Sequence, residues 1–252
     1  MRFAHEIAIG TRRFRVPVLA GTNDQLVIEG LHDYDDEVFI ALRRALAEPK
    51  PVILDVGGNI GQYVLRLKAT RQDAELHTFE PFPKLAEILQ HMVTLNGWRD
   101  VRVNQCVVGV SNDKTRLYFD GAATDTASTV AGFQRTNQHS IEVDCRTLDG
   151  YVDEAGLKRV DVLKIDVEGG ELEVIQGAAR VLEKFRPLTL LELLWTQNPE
   201  HLARQQRVIG LLHSAGYHFH LIKADGALEY QAVPQPDPHY RLLNFLVAST
   251  KL

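Results

Sequence analysis

Acidic residues stand at the ends of several short apolar segments of the sequence, where a carboxylate can bind a ligand or accept a proton. Asp55 ends one such segment and Glu80 ends another. Asp166 follows a third, and Glu192 lies near the end of a fourth. Short apolar segments bounded by glycine, proline or turn residues predict buried parallel strands. Because ligands bind beyond the carboxyl ends of parallel strands, we expect the four carboxylates to share one rim of a sheet.

A glycine-rich turn follows Asp55, in the sequence V-I-L-D-V-G-G-N-I-G of residues 52–61. Its glycines remove the side chains that would keep a bulky ligand away from the backbone. The order differs from the G-x-G-x-x-G of dinucleotide-binding turns, and an acid near the turn suits a positively charged ligand better than a pyrophosphate. The sulfonium and ammonium groups of S-adenosylmethionine meet that requirement. The pattern therefore favours S-adenosylmethionine over NAD, with Asp55, Gly57, Gly58, Asn59 and Gly61 as the predicted cofactor-binding residues.

Glu80 is the next predicted cofactor contact, and Pro81 follows it directly. An acid at the end of the second strand of a βαβ unit is placed to accept hydrogen bonds from both ribose hydroxyls of an adenosyl ligand. Dinucleotide-binding and methyl-donor folds share this role. Glu80 therefore predicts adenosine binding, and an NAD-dependent oxidoreductase stays open as an alternative function.

The elements that position these residues alternate along the chain. Strands are predicted at residues 52–56, 76–80, 101–108, 160–165 and 188–193, and helices at residues 62–69, 84–96, 170–184 and 200–215. This alternation predicts an α/β fold with a mostly parallel sheet and helices on both of its faces. A hairpin at residues 217–248 is expected to add an antiparallel end to the sheet.

Two regions depart from the alternation. Residues 1–50 predict short strands and a helix, at residues 33–47, that pack on the core as a lid or edge element, whereas residues 51–252 form the predicted catalytic domain. Residues 114–146 predict an inserted hairpin, because two strand-like segments flank a threonine-rich loop. Long loops in compact domains are often functional, so the loop at residues 122–139 is a candidate cover for a substrate. A surface excursion without a function remains the alternative.

Composition limits the classes of function. A chain of 252 residues with 45% hydrophobic residues can bury the core of one α/β domain. A formal net charge of -5 argues against a nucleic-acid partner, which normally calls for a basic excess. The two cysteines lack metal-site spacing, and no apolar run reaches the about 18 residues of a membrane span. These features are typical of a cytoplasmic protein without a membrane partner, with a homodimer as one option for its assembly.

Five motifs in one order resemble the FkbM-type S-adenosylmethionine-dependent methyltransferases. They are DVGGNIG at residues 55–61, TFEP at 78–81, RTLD at 146–149, KIDVEGGE at 164–171 and RPLTLLE at 186–192. Each motif alone is weak, whereas five with compatible spacing are specific. The resemblance spans residues 30–195. Gly58 departs from the family, which usually has alanine there, and we expect this change to leave the turn intact.

The resemblance implies a class I methyltransferase (Rossmann-like) fold and S-adenosylmethionine as cofactor. It also implies O-methylation of a small-molecule acceptor, most often a hydroxyl on a sugar or a secondary metabolite. By the same resemblance, the turn at residues 55–61 would hold the methionine part of the cofactor and Glu80 the ribose. The acceptor itself is not identified, because likeness of fold carries limited functional weight. A catalytically silent protein that binds an adenosyl ligand on the same fold is a third hypothesis.

Methyl transfer to a hydroxyl calls for a general base, or for a metal that lowers the pKa of the hydroxyl. The carboxylates predicted near the acceptor are Asp166, Glu168 and Glu192, and His139 in the inserted loop is a rival base. Asp166 and Glu192 offer oxygen ligands, so Mg²⁺ is a candidate second cofactor. Lys164 lies within a predicted strand, and we expect it to point away from the ligand or to pair with a neighbouring acid.

Overall fold

The computed structural model describes residues 4–17, 36–120, 123–131, 133, 139–196, 198–235 and 242–252. The strands are β1 (Ala4–Ile9), β2 (Arg12–Pro17), β3 (Val52–Val56), β4 (Glu75–Phe79), β5 (Val101–Asn104), β6 (Val107–Val108), β7 (Lys114–Asp120), β8 (Ala123–Ser128), β9 (His139–Arg146), β10 (Val162–Ile165), β11 (Leu188–Leu194), β12 (His218–Ile222), β13 (Leu228–Gln231) and β14 (Leu242–Ala248). The helices are α1 (Asp36–Ala45), α2 (Gln62–Thr70), α3 (Pro83–Asn96), α4 (Leu148–Glu154), α5 (Glu171–Gly177), α6 (Ala179–Phe185) and α7 (Pro199–Ser214).

Among the described residues, eight strands form the main sheet in the order β13-β12-β14-β11-β10-β3-β4-β5. The neighbours from β11 to β5 pair in parallel, and β11, β14, β12 and β13 pair antiparallel. The chain leaves β3 towards β4 and β5 on one side, and β10 and β11 lie on the other side. The reversal of strand order therefore falls between β3 and β10. Ligands bind at such a crevice in parallel α/β sheets.

Apolar side chains that alternate along the strands build two cores, one on each face of the sheet. Leu54 and Val56 point to the face covered by α4, α5, α6 and α7. Ile53 points to the opposite face, which is covered by α1, α2 and α3. This is the predicted arrangement of helices on both faces, and it follows from the period of two in a strand that is buried on both sides.

The N-terminal hairpin and α1 share the second of these cores. Ile7 on β1, Phe14 on β2 and Phe39 on α1 lie in one buried cluster with side chains of α2 and α3. The predicted helix at residues 33–47 corresponds to α1, and residues 18–35 lie outside the described residues. The division into a lid or edge element and a catalytic domain stays a prediction.

Residues 114–146, which we call the insertion, form most of a second sheet. Its strand order is β6-β9-β7-β8, with β7 antiparallel to both β8 and β9. The predicted hairpin corresponds to β7 and β9. Part of the predicted loop is a third strand, β8, while residues 121–122, 132 and 134–138 lie outside the described part of the chain.

Two predicted elements differ from the structure. Residues 101–108 are not one strand, because the chain leaves the main sheet after Asn104 and β6 pairs with β9 of the insertion. The predicted helix at residues 170–184 is split into α5 and α6. A Cβ on Gly177 would overlap the carbonyl oxygen of Gly109, so α5 ends where two backbones approach closely. No helix in the described part of the chain is both long and apolar enough to cross a bilayer.

Candidate active site

A cavity opens at the carboxyl ends of β3, β4 and β10, at the point where the strand order reverses. Its volume is about 820 Å³, including space that is open to solvent. Its lining includes a turn after β3, a turn after β10, and the end of β8 in the insertion. We call residues 57–61 the glycine turn and residues 166–170 the acidic turn.

The glycine turn is fixed to the neighbouring strands by its backbone. The N–H groups of Gly57 and Gly58 both donate to the carbonyl oxygen of Phe79, at 3.0 and 2.9 Å. Gly57 has a φ of +89°, and a Cβ there would overlap the carbonyl oxygen of Asp166. Only glycine combines this conformation with such close contact between two chain segments. Gly57, Gly58 and Asn59 line the cavity, whereas Gly61 lies outside its lining and precedes α2.

Gly58 is matched to Thr78 on the adjacent strand β4. A Cβ on Gly58 would overlap Thr78 Oγ1 and would lie 3.0 Å from a methyl group of Leu89. Thr78 Oγ1 in turn donates a hydrogen bond of 2.8 Å to Asp55 Oδ2. Thr78 therefore occupies the space that an alanine at position 58 would need. The turn is intact, as expected, and the structure supplies the reason for the glycine.

Glu80 links the glycine turn to the start of α3. Its Oε2 accepts a hydrogen bond from the N–H of Asn59 and its Oε1 accepts one from the N–H of Phe82, both at 2.8 Å. Glu80 is 6% exposed and lines the cavity together with Pro81. Burial raises the pKa of Glu80 to about 7, and the two backbone donors and the charge of Lys164 offset only part of that effect. The position is compatible with the predicted ribose contact.

Asp55 lies beneath the cavity and does not line it. Its side chain is completely buried, and its Oδ1 lies 3.2 Å from the Nζ of Lys164. The expected negative charge near the glycine turn is therefore compensated within the protein. Lys164 was expected to point away from the ligand or to pair with a neighbouring acid. It forms ion pairs with acids and also lines the cavity. The direct contact of Asp55 with a cofactor stays a prediction.

The acidic turn forms the opposite wall of the cavity. Asp166 and Glu168 both line it and are partly exposed. Asp166 Oδ2 lies 3.2 Å from Lys164 Nζ. The backbone carbonyl of Glu168 accepts a hydrogen bond from Ser128 Oγ at the end of β8. Two predicted proton acceptors thus lie on the cavity wall, and the insertion is anchored beside them.

The other two predicted bases lie elsewhere. His139 is exposed at the start of β9, where its ring stacks against Phe119 at a centroid distance of 5.7 Å. Glu192 lies within β11 opposite Asn244, outside the cavity lining. Their catalytic roles stay predictions that these positions do not support.

The predicted magnesium site of Asp166 and Glu192 can be judged by the side chains that surround it. Among the described residues, no three or more His, Cys, Asp or Glu side chains are grouped so that they could hold a metal ion. Asp166 is already paired with the ammonium group of Lys164, which repels a second cation. Magnesium prefers several oxygen ligands around one point. The described residues therefore do not fit the predicted Mg²⁺ site.

Several lining residues are absent from the sequence predictions. The apolar wall consists of Phe79, Leu85, Cys106, Val107, Val108 and Leu117. The insertion adds Ala127, Ser128 and Thr129. These residues come from separate segments, so local patterns gave no signal that they meet. Lys164 had a usable signal, because a charged residue in an apolar parallel strand needs a buried partner.

This chain is similar in sequence to known methyltransferases. The family model described as the Methyltransferase FkbM domain matches residues 55–219. Methyltransferase 1 from Beauveria bassiana (strain ARSEF 2860) is 30% identical over 181 residues, which cover 64% of this chain and 71% of that protein. The 2-O-methyltransferase NoeI from Sinorhizobium fredii (strain NBRC 101917 / NGR234) is 33% identical over 157 residues, which cover 56% of this chain and 63% of that protein.

A solved structure supports the fold. Fibrillarin from Aeropyrum pernix, in complex with natively bound S-adenosyl-L-methionine, matches with a TM-score of 0.50 at 14% identity. The match covers 97% of this chain and 82% of that chain. At this identity the likeness concerns the fold alone, and it agrees with the predicted class I methyltransferase fold. Because the family model extends from the end of β3 into β12, we conclude that this chain belongs to the FkbM methyltransferase domain family.

Proposed function

We propose that this protein is an S-adenosylmethionine-dependent O-methyltransferase whose acceptor is a hydroxyl of a sugar or a secondary metabolite. The observation that carries the proposal is a single cavity with a glycine turn and Glu80 on one side and Asp166 and Glu168 on the other. One side suits an adenosyl ligand, and the other offers proton acceptors. Both are needed for methyl transfer to an alcohol.

The glycine turn and Glu80 are suited to bind S-adenosylmethionine. Gly57 and Gly58 leave backbone open to the cavity, and Glu80 lies beside them with a carboxylate that can accept hydrogen bonds from two ribose hydroxyls. When bound, S-adenosylmethionine supplies an electrophilic methyl group on a positively charged sulfur. The protein holds the cofactor through these residues and orients it towards the acidic turn. Such orientation accounts for a large part of the rate of a two-reactant step.

The acidic turn serves the acceptor. An alcohol is a poor nucleophile until its proton is removed, and Asp166 and Glu168 are carboxylates on the cavity wall that can take it up. Ala127, Ser128 and Thr129 border the cavity from the insertion and shield it from water. The net charge of -5 supports a small hydroxylated acceptor rather than a nucleic acid.

One relative has a name that supports methyl transfer to oxygen. NoeI is named a 2-O-methyltransferase, and at 33% identity this chain spans 63% of its length. The name favours transfer to oxygen. The acceptor of this protein is a separate question, because one fold serves many substrates.

Calorimetry tests the donor side. S-Adenosylhomocysteine should bind the wild-type protein, and Glu80→Gln should weaken that binding. NAD should give no heat in the same buffer, and binding of NAD in place of S-adenosylhomocysteine would favour the oxidoreductase alternative.

Transfer of a labelled methyl group tests the acceptor side. A library of sugars and hydroxylated natural products is incubated with the labelled donor, and oxygen-linked product is expected. Asp166→Asn and Glu168→Gln, assayed separately, identify the proton acceptor through the loss of turnover. Tight donor binding without transfer to any compound would favour the catalytically silent protein.

A further inference from the structure

Lys164 lies at the centre of the crevice between β3 and β10, and the proposed reaction does not account for it. Its side chain is 4% exposed. Its Nζ donates a hydrogen bond of 2.8 Å to the carbonyl oxygen of Gly57 and lies 3.2 Å from Asp55 Oδ1 and from Asp166 Oδ2. It also lies 4.2 Å from the centre of the Tyr63 ring. One ammonium group thus contacts both the glycine turn and the acidic turn.

The sheet register explains this position. Lys164 on β10 is paired with Asp55 on β3, so both side chains project from the same face of the sheet. Gly57 and Asp166 each follow two residues later, in the turns just beyond the ends of β3 and β10. The Lys164 side chain reaches from its strand towards the place where both strands end.

The chemistry of lysine suits such a link. An ammonium group is a compact charge with three donors, and here three oxygens from two chain segments surround it. Neutralising Asp55 alone would need one of these contacts. We call the glycine turn and Glu80 the donor wall of the cavity, and the acidic turn its acceptor wall. The contacts to Gly57 and Asp166 join these two walls.

We propose that Lys164 is a positioning residue that holds the glycine turn and Asp166 at a fixed separation across the crevice, so that the bound donor faces the proton-accepting wall. This inference rests on the proposed function. It gives Lys164, the first residue of the motif K-I-D at 164–166, a role between the two walls.

A matched pair of variants separates positioning from charge compensation. Lys164→Met alone leaves the buried Asp55 without its partner and is expected to unfold more readily. Asp55→Asn removes that charge, and its amide oxygen can face Lys164 Nζ while its NH2 group donates to Thr78 Oγ1. The informative comparison is therefore Asp55→Asn against Asp55→Asn/Lys164→Met, in which only Lys164 differs and no buried carboxylate at position 55 remains.

S-Adenosylhomocysteine affinity is measured by calorimetry on this pair. The double variant should bind about tenfold more weakly than Asp55→Asn, the loss expected for hydrogen bonds from a charged group. Equal affinities would show that Lys164 only compensates Asp55 and would overturn the proposal. Absence of binding by the wild-type protein would instead contradict the proposed function.

Hydrogen exchange gives a readout that needs no ligand. The peptide that contains the glycine turn should exchange faster in the double variant than in Asp55→Asn, while peptides from α7 should be unchanged. Equal exchange of the turn in both proteins would overturn the proposal even if neither binds S-adenosylhomocysteine.

The pH profile of binding adds a readout that a purely structural role would not move. The charge of Lys164 lowers the pKa of Glu80. The midpoint of S-adenosylhomocysteine binding should therefore lie at higher pH in the double variant than in Asp55→Asn. An unchanged midpoint would argue that Lys164 does not act on the cavity.

Discussion

The two walls of the cavity are built in different ways. On the donor wall, the backbone of the glycine turn is hydrogen-bonded to the end of β4. The Glu80 side chain accepts hydrogen bonds from two backbone N–H groups and is 6% exposed. On the acceptor wall, Asp166 and Glu168 are partly exposed, and Ser128 of the insertion donates a hydrogen bond to the Glu168 carbonyl. The first wall is held by hydrogen bonds to the main sheet, whereas the second also depends on a separate sheet.

This difference agrees with separate roles for the two walls in the proposed function. A wall that binds the same cofactor in every reaction benefits from being preorganised in its local backbone. A wall that selects an acceptor can change with the insertion while the main sheet stays the same. We therefore expect changes on the donor wall to affect folding and cofactor affinity strongly, and changes on the insertion to have smaller effects.

The largest effect is expected for Gly57→Ala. The new Cβ would overlap the carbonyl oxygen of Asp166, and the φ of +89° disfavours any side chain. Overpacking and left-handed strain together should lower the free energy of unfolding by about 2–5 kcal/mol. Gly97→Ala is the control, because Gly97 has a φ of +65° with no atom within 4 Å. Urea denaturation should show a smaller loss, of about 1–2 kcal/mol, for the control, and equal losses would contradict close packing at Gly57.

A pH dependence of cofactor binding is the next effect. In the proposed function, two ribose hydroxyls donate hydrogen bonds to the ionised carboxylate of Glu80, whose pKa is raised to about 7 by burial. Protonation therefore competes with binding, so the affinity for S-adenosylhomocysteine should be highest well above pH 7 and should fall about tenfold for each pH unit below 7. Calorimetry across this range measures the profile. Glu80→Gln should bind weakly with a flat profile, and a wild-type midpoint near the ordinary glutamate pKa would contradict the burial argument.

A coupling between Gly58 and Thr78 is expected to be smaller. Gly58→Ala should lower the free energy of unfolding by about 1–3 kcal/mol, because its Cβ would overlap Thr78 Oγ1. In a Thr78→Ala background the same change should cost at least about 1 kcal/mol less. Urea denaturation of the wild type, the two single variants and the double variant gives the free energies of unfolding for this double-mutant cycle. Additive losses would show that Thr78 is not the reason for the glycine.

Ser128→Ala should have the smallest effect. It removes the hydrogen bond from Ser128 Oγ to the Glu168 carbonyl and the one that Ser128 Oγ accepts from the Val130 N–H, and should lower the free energy of unfolding by about 1–2 kcal/mol. Ser140→Ala, at an exposed position of β9, is the control. The loss of S-adenosylhomocysteine affinity should be smaller for Ser128→Ala than for Glu80→Gln. A larger loss would remove the contrast between the two walls.

The donor wall could be predicted from the sequence because its signals are local. An apolar strand, a turn rich in glycine and an acid at the end of the next strand lie within residues 52–81, and the structure brings Gly57, Gly58, Asn59, Glu80 and Pro81 to one cavity. The parallel sheet and its antiparallel end followed from the alternation of elements in the same way. Short-range patterns determine such features.

The acceptor wall was less predictable because its contacts are distant in sequence. Ser128 meets Glu168 across 40 residues, and Lys164 meets Gly57 across 107. The departure of β6 into the second sheet depends on pairing with β9, which no local pattern records. The exposed position of His139 and the ion pair of Asp166 also depend on such pairings. Tertiary context decided each of these features.

The position of β14 has a consequence for the order in which the molecule can assemble. This strand is the latest in the sequence of those in the main sheet, yet it lies between β11 and β12. During synthesis, β11 keeps an open hydrogen-bonding edge until residues 242–248 have left the ribosome, and an open edge favours pairing with other chains. The nascent protein is thus expected to depend on chaperones until that strand inserts.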